Sequence, residues 1–279
     1  MDTRRSLQDT EQAEQPAKAS TAAKERGEWR EGKYLSVLAV VLYLLLWIAI
    51  TEDGFGIVSS TYFPSPTMVI QAAITVSDVL VKDIIATLAR LFVGFVGGTL
   101  VGIGLGLLMS FSKKAYYFFD PLIESLRPVP VIAVIPFFLL WFGINEVGKI
   151  LLVLLGVFAI MVVSTVEAVR NVPKIYSQAA ATLGASKKDI FRRIILPGIM
   201  PQLVGPLRVS LALSFTLVVA AEFMGAQSGL GYRILEARRL FNTDVILLGI
   251  VLFGILSGVL DRGLRRLMAY VTRWSERNV

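Results

Sequence analysis

From residue 34 to residue 260 the chain alternates long apolar runs with polar joins, and this pattern limits its fold more than any other feature. Residues 34–50 hold 17 consecutive positions without a charge, at the lower limit of the about 17–25 residues that a helix needs to cross the hydrocarbon core of a bilayer. Further spans are expected near 84–111, 121–142, 147–166, 209–225 and 245–260, with a helix over 67–83 at the outer interface. Within 62–67, the two prolines of Phe63-Pro64-Ser65-Pro66-Thr67 favour an extended lead into that helix, with Pro66 in its first turn and Ser65 as cap. The expected class is an all-α polytopic membrane protein of six transmembrane helices.

Composition agrees: 55% of residues are hydrophobic and mean hydropathy is +0.67, more apolar surface than a soluble domain of this size buries. The chain has no His and no Cys. That removes the commonest general base, the usual zinc and copper ligands, thiol nucleophiles and disulfides, so no metal site and no catalysis by this chain are expected. A formal charge of +7 is explained by topology, since no basic stripe interleaved with stacking aromatics points to nucleic acid.

Residues 1–32 are polar and of mixed charge and read as a disordered cytosolic tail, leaving 33–279 as the membrane domain. With both termini inside, the inner segments hold 22 of the 28 Lys and Arg residues: seven in the tail, three between spans two and three, seven between spans four and five, and five at the C-terminus. Outer segments hold five, and Arg90 lies within the second span. Only 233–239 runs against the bias, offset in part by Glu236 and Asp244.

Gly94, Gly98, Gly102 and Gly106 recur every fourth residue in the second span, with Gly97 and Gly104 beside them. Lipid supplies little hydrophobic drive between helices, so this ladder is read as a surface for close helix packing. Gly102-x-Gly104 is not a phosphate loop, because no strand–turn–helix context and no Lys-Ser/Thr pair accompany it.

The polar, basic stretch 178–197 lies between two apolar runs. Its Ala-rich start favours a short helix, which Gly184 ends by taking a left-handed conformation. Ser186-Lys187-Lys188-Asp189 follows as a capping-box-like start. A second helix with Ile190, Phe191, Ile194 and Ile195 on its apolar side is expected to end at Pro197. Read from the residues alone, the pair is either an amphipathic connector lying on the membrane or a docking element.

The spacing of Gln178, Ala179, Ala180, Gly184, Ile194, Leu196 and Pro197 resembles the cytoplasmic "EAA" coupling loop of permease subunits of binding-protein-dependent ABC importers. The likeness extends over about 60–265. It takes in Phe63-Pro64-Ser65-Pro66-Thr67, Arg127-Pro128-Val129-Pro130, Leu140-Trp141-Phe142-Gly143 and Ala221-Glu222-Phe223-Met224-Gly225-Ala226, followed by Ser228-Gly229-Leu230-Gly231-Tyr232. These motifs are similar to those of the sulfonate, taurine and nitrate branch.

The resemblance implies a bacterial inner-membrane homodimer of this chain, two cytoplasmic ATPase subunits and an extracytoplasmic solute-binding protein. ATP and Mg would be used by the partner ATPase, with no cofactor on this chain, which has no Walker-type loop. The implied solutes are small anions such as alkanesulfonates, taurine or nitrate. Gln178 stands where the family usually carries an acidic residue, which makes a charge-assisted contact with the ATPase neutral.

Ionisable residues in or beside spans mark pathway candidates. Glu124, Arg127 and Glu167 lie near the inner face and are expected to form interfacial ion pairs. Arg90, toward the outer half of its span, either guides an anionic solute or snorkels to the surface, and Glu222 is the second pathway candidate. The alternative class, an ATP-independent six-span carrier or channel, accounts for the hydropathy but leaves the basic loop unexplained.

Overall fold

A computed structural model of the chain describes residues 34–51, 59 and 61–274. The tail at 1–32, Lys33, Glu52, Asp53 and Arg277 lie outside the described residues. The chain divides into two compact units, 1–68 and 69–279.

In the first unit α1 (Tyr34–Thr51) forms the expected apolar helix. Trp47 Nε1 donates to the Pro64 carbonyl at 3.1 Å, and its ring lies 6.1 Å from that of Phe63. Ser65 caps α2 (Pro66–Thr75) by accepting the Met68 N–H on its hydroxyl.

The second unit is built on three long helices. α3 (Ser77–Phe111) packs along α6 (Glu146–Arg170), and α6 packs along α9 (Leu196–Phe223). Leu91, Val153, Val157, Met161, Leu211 and Leu217 share one buried core, with Phe253, Leu256 and Leu260 of α11 (Thr243–Val271) against its edge. All four helices are long and apolar enough to cross a membrane, as is α1.

The expected interface helix over 67–83 is divided at Val76, and α3 starts at Ser77, seven residues before the expected second span. No proline or glycine marks this break. The expected straight third span is two helices, α4 (Lys113–Leu126) and α5 (Ile135–Phe142). They are joined through a 3₁₀ turn at Val131–Val134 and bent by 90°. Pro128 and Pro130 cause the break, since neither supplies a backbone N–H and each disfavours helix in the residue before it. Counting the bent pair as one span gives six among the described residues, and otherwise five.

Pro197 does not end the helix of the loop. α8 (Lys187–Ile190) runs into a π-helical turn at Phe191–Ile195 and then directly into α9, with Pro197 in its first turn. Leu196 donates its N–H to the Phe191 carbonyl, five residues back. That wide turn gives the Pro197 ring room beside carbonyls it would otherwise crowd.

Candidate functional site

The glycine ladder faces α6 along its length. A Cβ on Gly94 would lie 2.6 Å from Val153 Cβ, and one on Gly102 or Gly106 equally close to Met161 or Thr165 Cβ. At Gly98 the nearest atom would be the Leu154 carbonyl oxygen, also at 2.6 Å. The two backbones therefore approach as no larger residue allows. Gly97 borders Leu154, whereas Gly104 faces open space.

Toward its N-terminus the same buried stripe of α3 turns polar, with Asp83, Thr87 and Arg90 in line with the glycines. Arg90 donates Nε and Nη2 to the two oxygens of Glu146, at 2.5 and 2.9 Å. Its Nη1 donates to Glu222 Oε1 at 2.6 Å and to the Ser228 carbonyl at 2.7 Å. Lys149, buried beside it, donates to Glu146 at 2.9 Å.

These side chains hold the start of α10 (Leu230–Arg239), the short helix between α9 and α11. Gly229 N–H donates to Asp83 Oδ1 at 2.8 Å, Leu230 N–H to Thr87 Oγ1 at 2.9 Å, and Gly231 N–H to Glu222 Oε2 at 2.7 Å. Three backbone donors at the helix start thus find acceptors on α3 and α9, and the carboxylates favour the positive end of the helix. Gly229 has φ +122°, and a Cβ there would overlap the Glu222 carboxylate. Arg233, one turn into α10, completes the cluster by donating to Asp83 at 2.8 Å and Glu236 at 2.7 Å.

The other end of α9 carries the loop. α7 (Lys174–Thr182) ends in a Schellman arrangement: Gly184, at φ +82°, donates its N–H to the Ala181 carbonyl, and Ala185 donates to Ala180, both at 3.0 Å. Ser186 accepts the Asp189 N–H at 3.2 Å and so caps α8. Gln178 and Ala179 are exposed on α7 and Ala180 is half-buried. Ile175, Tyr176 and Leu183 also stand out from the fold, Leu183 at 88% exposure. Ile194 and Leu196 instead pack on the buried core, and the Phe191 ring meets Phe111 of α3 edge-on at 5.2 Å. An exposed apolar helix is therefore carried on an anchored base.

Sequence reasoning singled out Arg90 and Glu222, and the structure brings them together. It missed their partners Thr87 and Glu146, and Asp83, which joins the cluster through the start of α10. For Asp83 and Thr87 the available signal was register: positions 83, 87, 90 and 94 extend the glycine ladder along one face of the helix. Glu124 and Arg127 pair at 2.9 Å on the surface near the bend, and Glu167 borders the same cavity as Arg127.

Comparison with known proteins gives the class of this helical bundle. Residues 98–274 match the family of binding-protein-dependent transport system inner membrane components, and the chain belongs to it. It is thus a multi-pass permease component of an ABC importer, a transport subunit whose ATP hydrolysis lies on a separate chain. Among its relatives, the taurine transport system permease protein TauC of Escherichia coli (strain K12) is 33% identical over 253 residues, covering 88% of this chain and 92% of that protein. The putative aliphatic sulfonates transport permease protein SsuC of Bacillus subtilis (strain 168) is 32% identical over 258 residues, with 92% and 93% covered. The fold is shared with the inward-facing MetNI methionine ABC transporter at a TM-score of 0.61 and 24% identity, over 71% of this chain and 98% of that one. An ATP-independent carrier is not favoured by these relationships. Family membership implies an ATPase and a binding protein as partners.

Proposed function

We propose that this chain moves small organosulfonates, taurine or alkanesulfonates, across the inner membrane as a homodimer coupled to two ATPase subunits. The single observation that carries the coupling is α7, an exposed, glycine-terminated helix on a base that continues through the π turn into α9. In this reading the surface around Gln178, Ala179, Ala180 and Gly184 enters a groove on the ATPase, while Ile194, Leu196 and Pro197 join it to the spans. ATP and Mg act on the partner, and closure of the ATPase pair reaches this chain as rigid-body motion.

The loop end is cytoplasmic, as are both termini, and the α10 end faces the binding protein. The substrate class rests on the relatives at 32–33% identity across about nine-tenths of the chain. Arg90 and Glu222 serve the pathway by fixing α10 at its outer end, because the Arg90 guanidinium is already engaged by two carboxylates.

The test is copurification and uptake. The ATPase should stay with the detergent-solubilised chain and be lost when Ala180 and Gly184 are replaced by bulky residues. Labelled taurine should enter proteoliposomes only with ATP and the binding protein. Uptake that persists without an ATPase would overturn the proposal.

A further inference from the structure

The polar cluster carries unequal charge. Four carboxylates, Asp83, Glu146, Glu222 and Glu236, face three cations, Arg90, Lys149 and Arg233. Glu222 and Asp83 are buried, and the more exposed Glu236 has only a shared cation, since Arg233 also serves Asp83. Arg239 follows Glu236 at i+3 on α10, where side chains are neighbours about 5–6 Å apart at Cβ. Because Glu236 is drawn back to Arg233, Arg239 has no carboxylate partner among the described residues. Both line one cavity of about 310 Å³, with Phe223, Met224, Tyr232 and Leu235 among its walls.

We infer that this cavity is a solute subsite for an ω-aminosulfonate, with Arg239 receiving the sulfonate and Glu236 the ammonium. The inference rests on the proposed substrate class and adds where in this chain the solute is read. A guanidinium is matched to the sulfonate's oxygens, and an ammonium two carbons away falls one helical turn back, at the Glu236 carboxylate. The apolar wall of Phe223, Met224 and Leu235 suits the ethylene linker. The cavity lies at the end of α9 remote from α7, where solute enters the membrane in the proposed orientation. Its floor is fixed, since the first turn of α10 is pinned to α3 and α9.

The assembled transporter in proteoliposomes, with loaded binding protein in excess, provides the test, using labelled taurine and labelled ethanesulfonate, which lacks the amine. Arg239→Gln should lower uptake of both by about tenfold or more, and Arg239→Lys should recover part of it. Glu236→Gln should lower taurine uptake to a similar degree and leave ethanesulfonate within about twofold of the parent. Thermal stability and retained ATPase serve as the folding readout for each variant. Parent-like uptake by Arg239→Gln, or an equal loss of both solutes in Glu236→Gln, would overturn the subsite alone. A parent transporter that moves neither sulfonate overturns the substrate class, and the subsite with it.

Discussion

Arg90 of α3 and Glu222 of α9 meet at 2.6 Å with the Glu222 side chain fully buried, although 131 residues of chain separate them. Removing one partner of such a pair leaves a charge without compensation, typically at a cost of about 3–5 kcal/mol. Arg90→Ala should therefore lower the Tm of the purified chain sharply. The double variant Arg90→Met/Glu222→Leu should be less destabilised than the sum of its single changes. Additive losses would show that the two residues do not act as a pair.

At Gly98 a new methyl group meets backbone, the Leu154 carbonyl oxygen, which has no rotamer by which to yield. Gly98→Ala should cost about 1–3 kcal/mol by forcing α3 from α6. Gly104→Ala, which faces open space, should be neutral or gain up to about 1 kcal/mol from helix propensity. Thermal denaturation of the two variants side by side measures the difference.

Gly184 meets nothing within 4 Å, so the obstacle to replacing it is conformational. At φ +82° an alanine costs about 1–2 kcal/mol. That is enough to fray the end of α7. Gly184→Ala should reduce ATPase retention on purification while the Tm of the spanning bundle stays close to the parent value. A large fall in Tm would place Gly184 in the bundle's stability instead.

Gln178 offers an amide where a carboxylate would make a charge-assisted hydrogen bond. Gln178→Glu should strengthen retention of the ATPase at low ionic strength, and the gain should shrink as salt is raised. Binding measured across a salt series checks both parts. Unchanged affinity at low salt would mean that no cation faces this position.

Local signals in the sequence were sufficient for the end of α7 and the start of α8. Gly184 and Ser186 act within a few residues of themselves, so their turn and cap were legible before any fold was known. The glycine ladder was legible as a packing surface, but its partner α6 was not, because a stripe of glycines fits any helix of suitable shape. The bend after α4 was signalled by Pro128 and Pro130 and was overridden by the apolar run around them. Pro197 misled in the opposite direction, since a widened turn lets a helix pass a proline that would otherwise stop it. Least legible was the partnership of Asp83 with Gly229 and Arg233. It joins positions about 150 residues apart, and no local pattern encodes which side chains meet.

α9 is a lever. Its 28 residues span about 42 Å at the usual rise, with the loop base at one end and the carboxylate that clasps α10 at the other. A tilt of roughly 10° about one end would sweep the far end through about 7 Å over that length. Because Glu222 of α9 and Asp83 of α3 fasten α10 by its backbone, that short helix has no separate hinge at its first turn and must travel with both helices. Pro201 and Pro206 both lie in the half of α9 nearer the loop, so whatever compliance the arm has is placed at the loop end, and the half nearer α10 moves as a stiff rod.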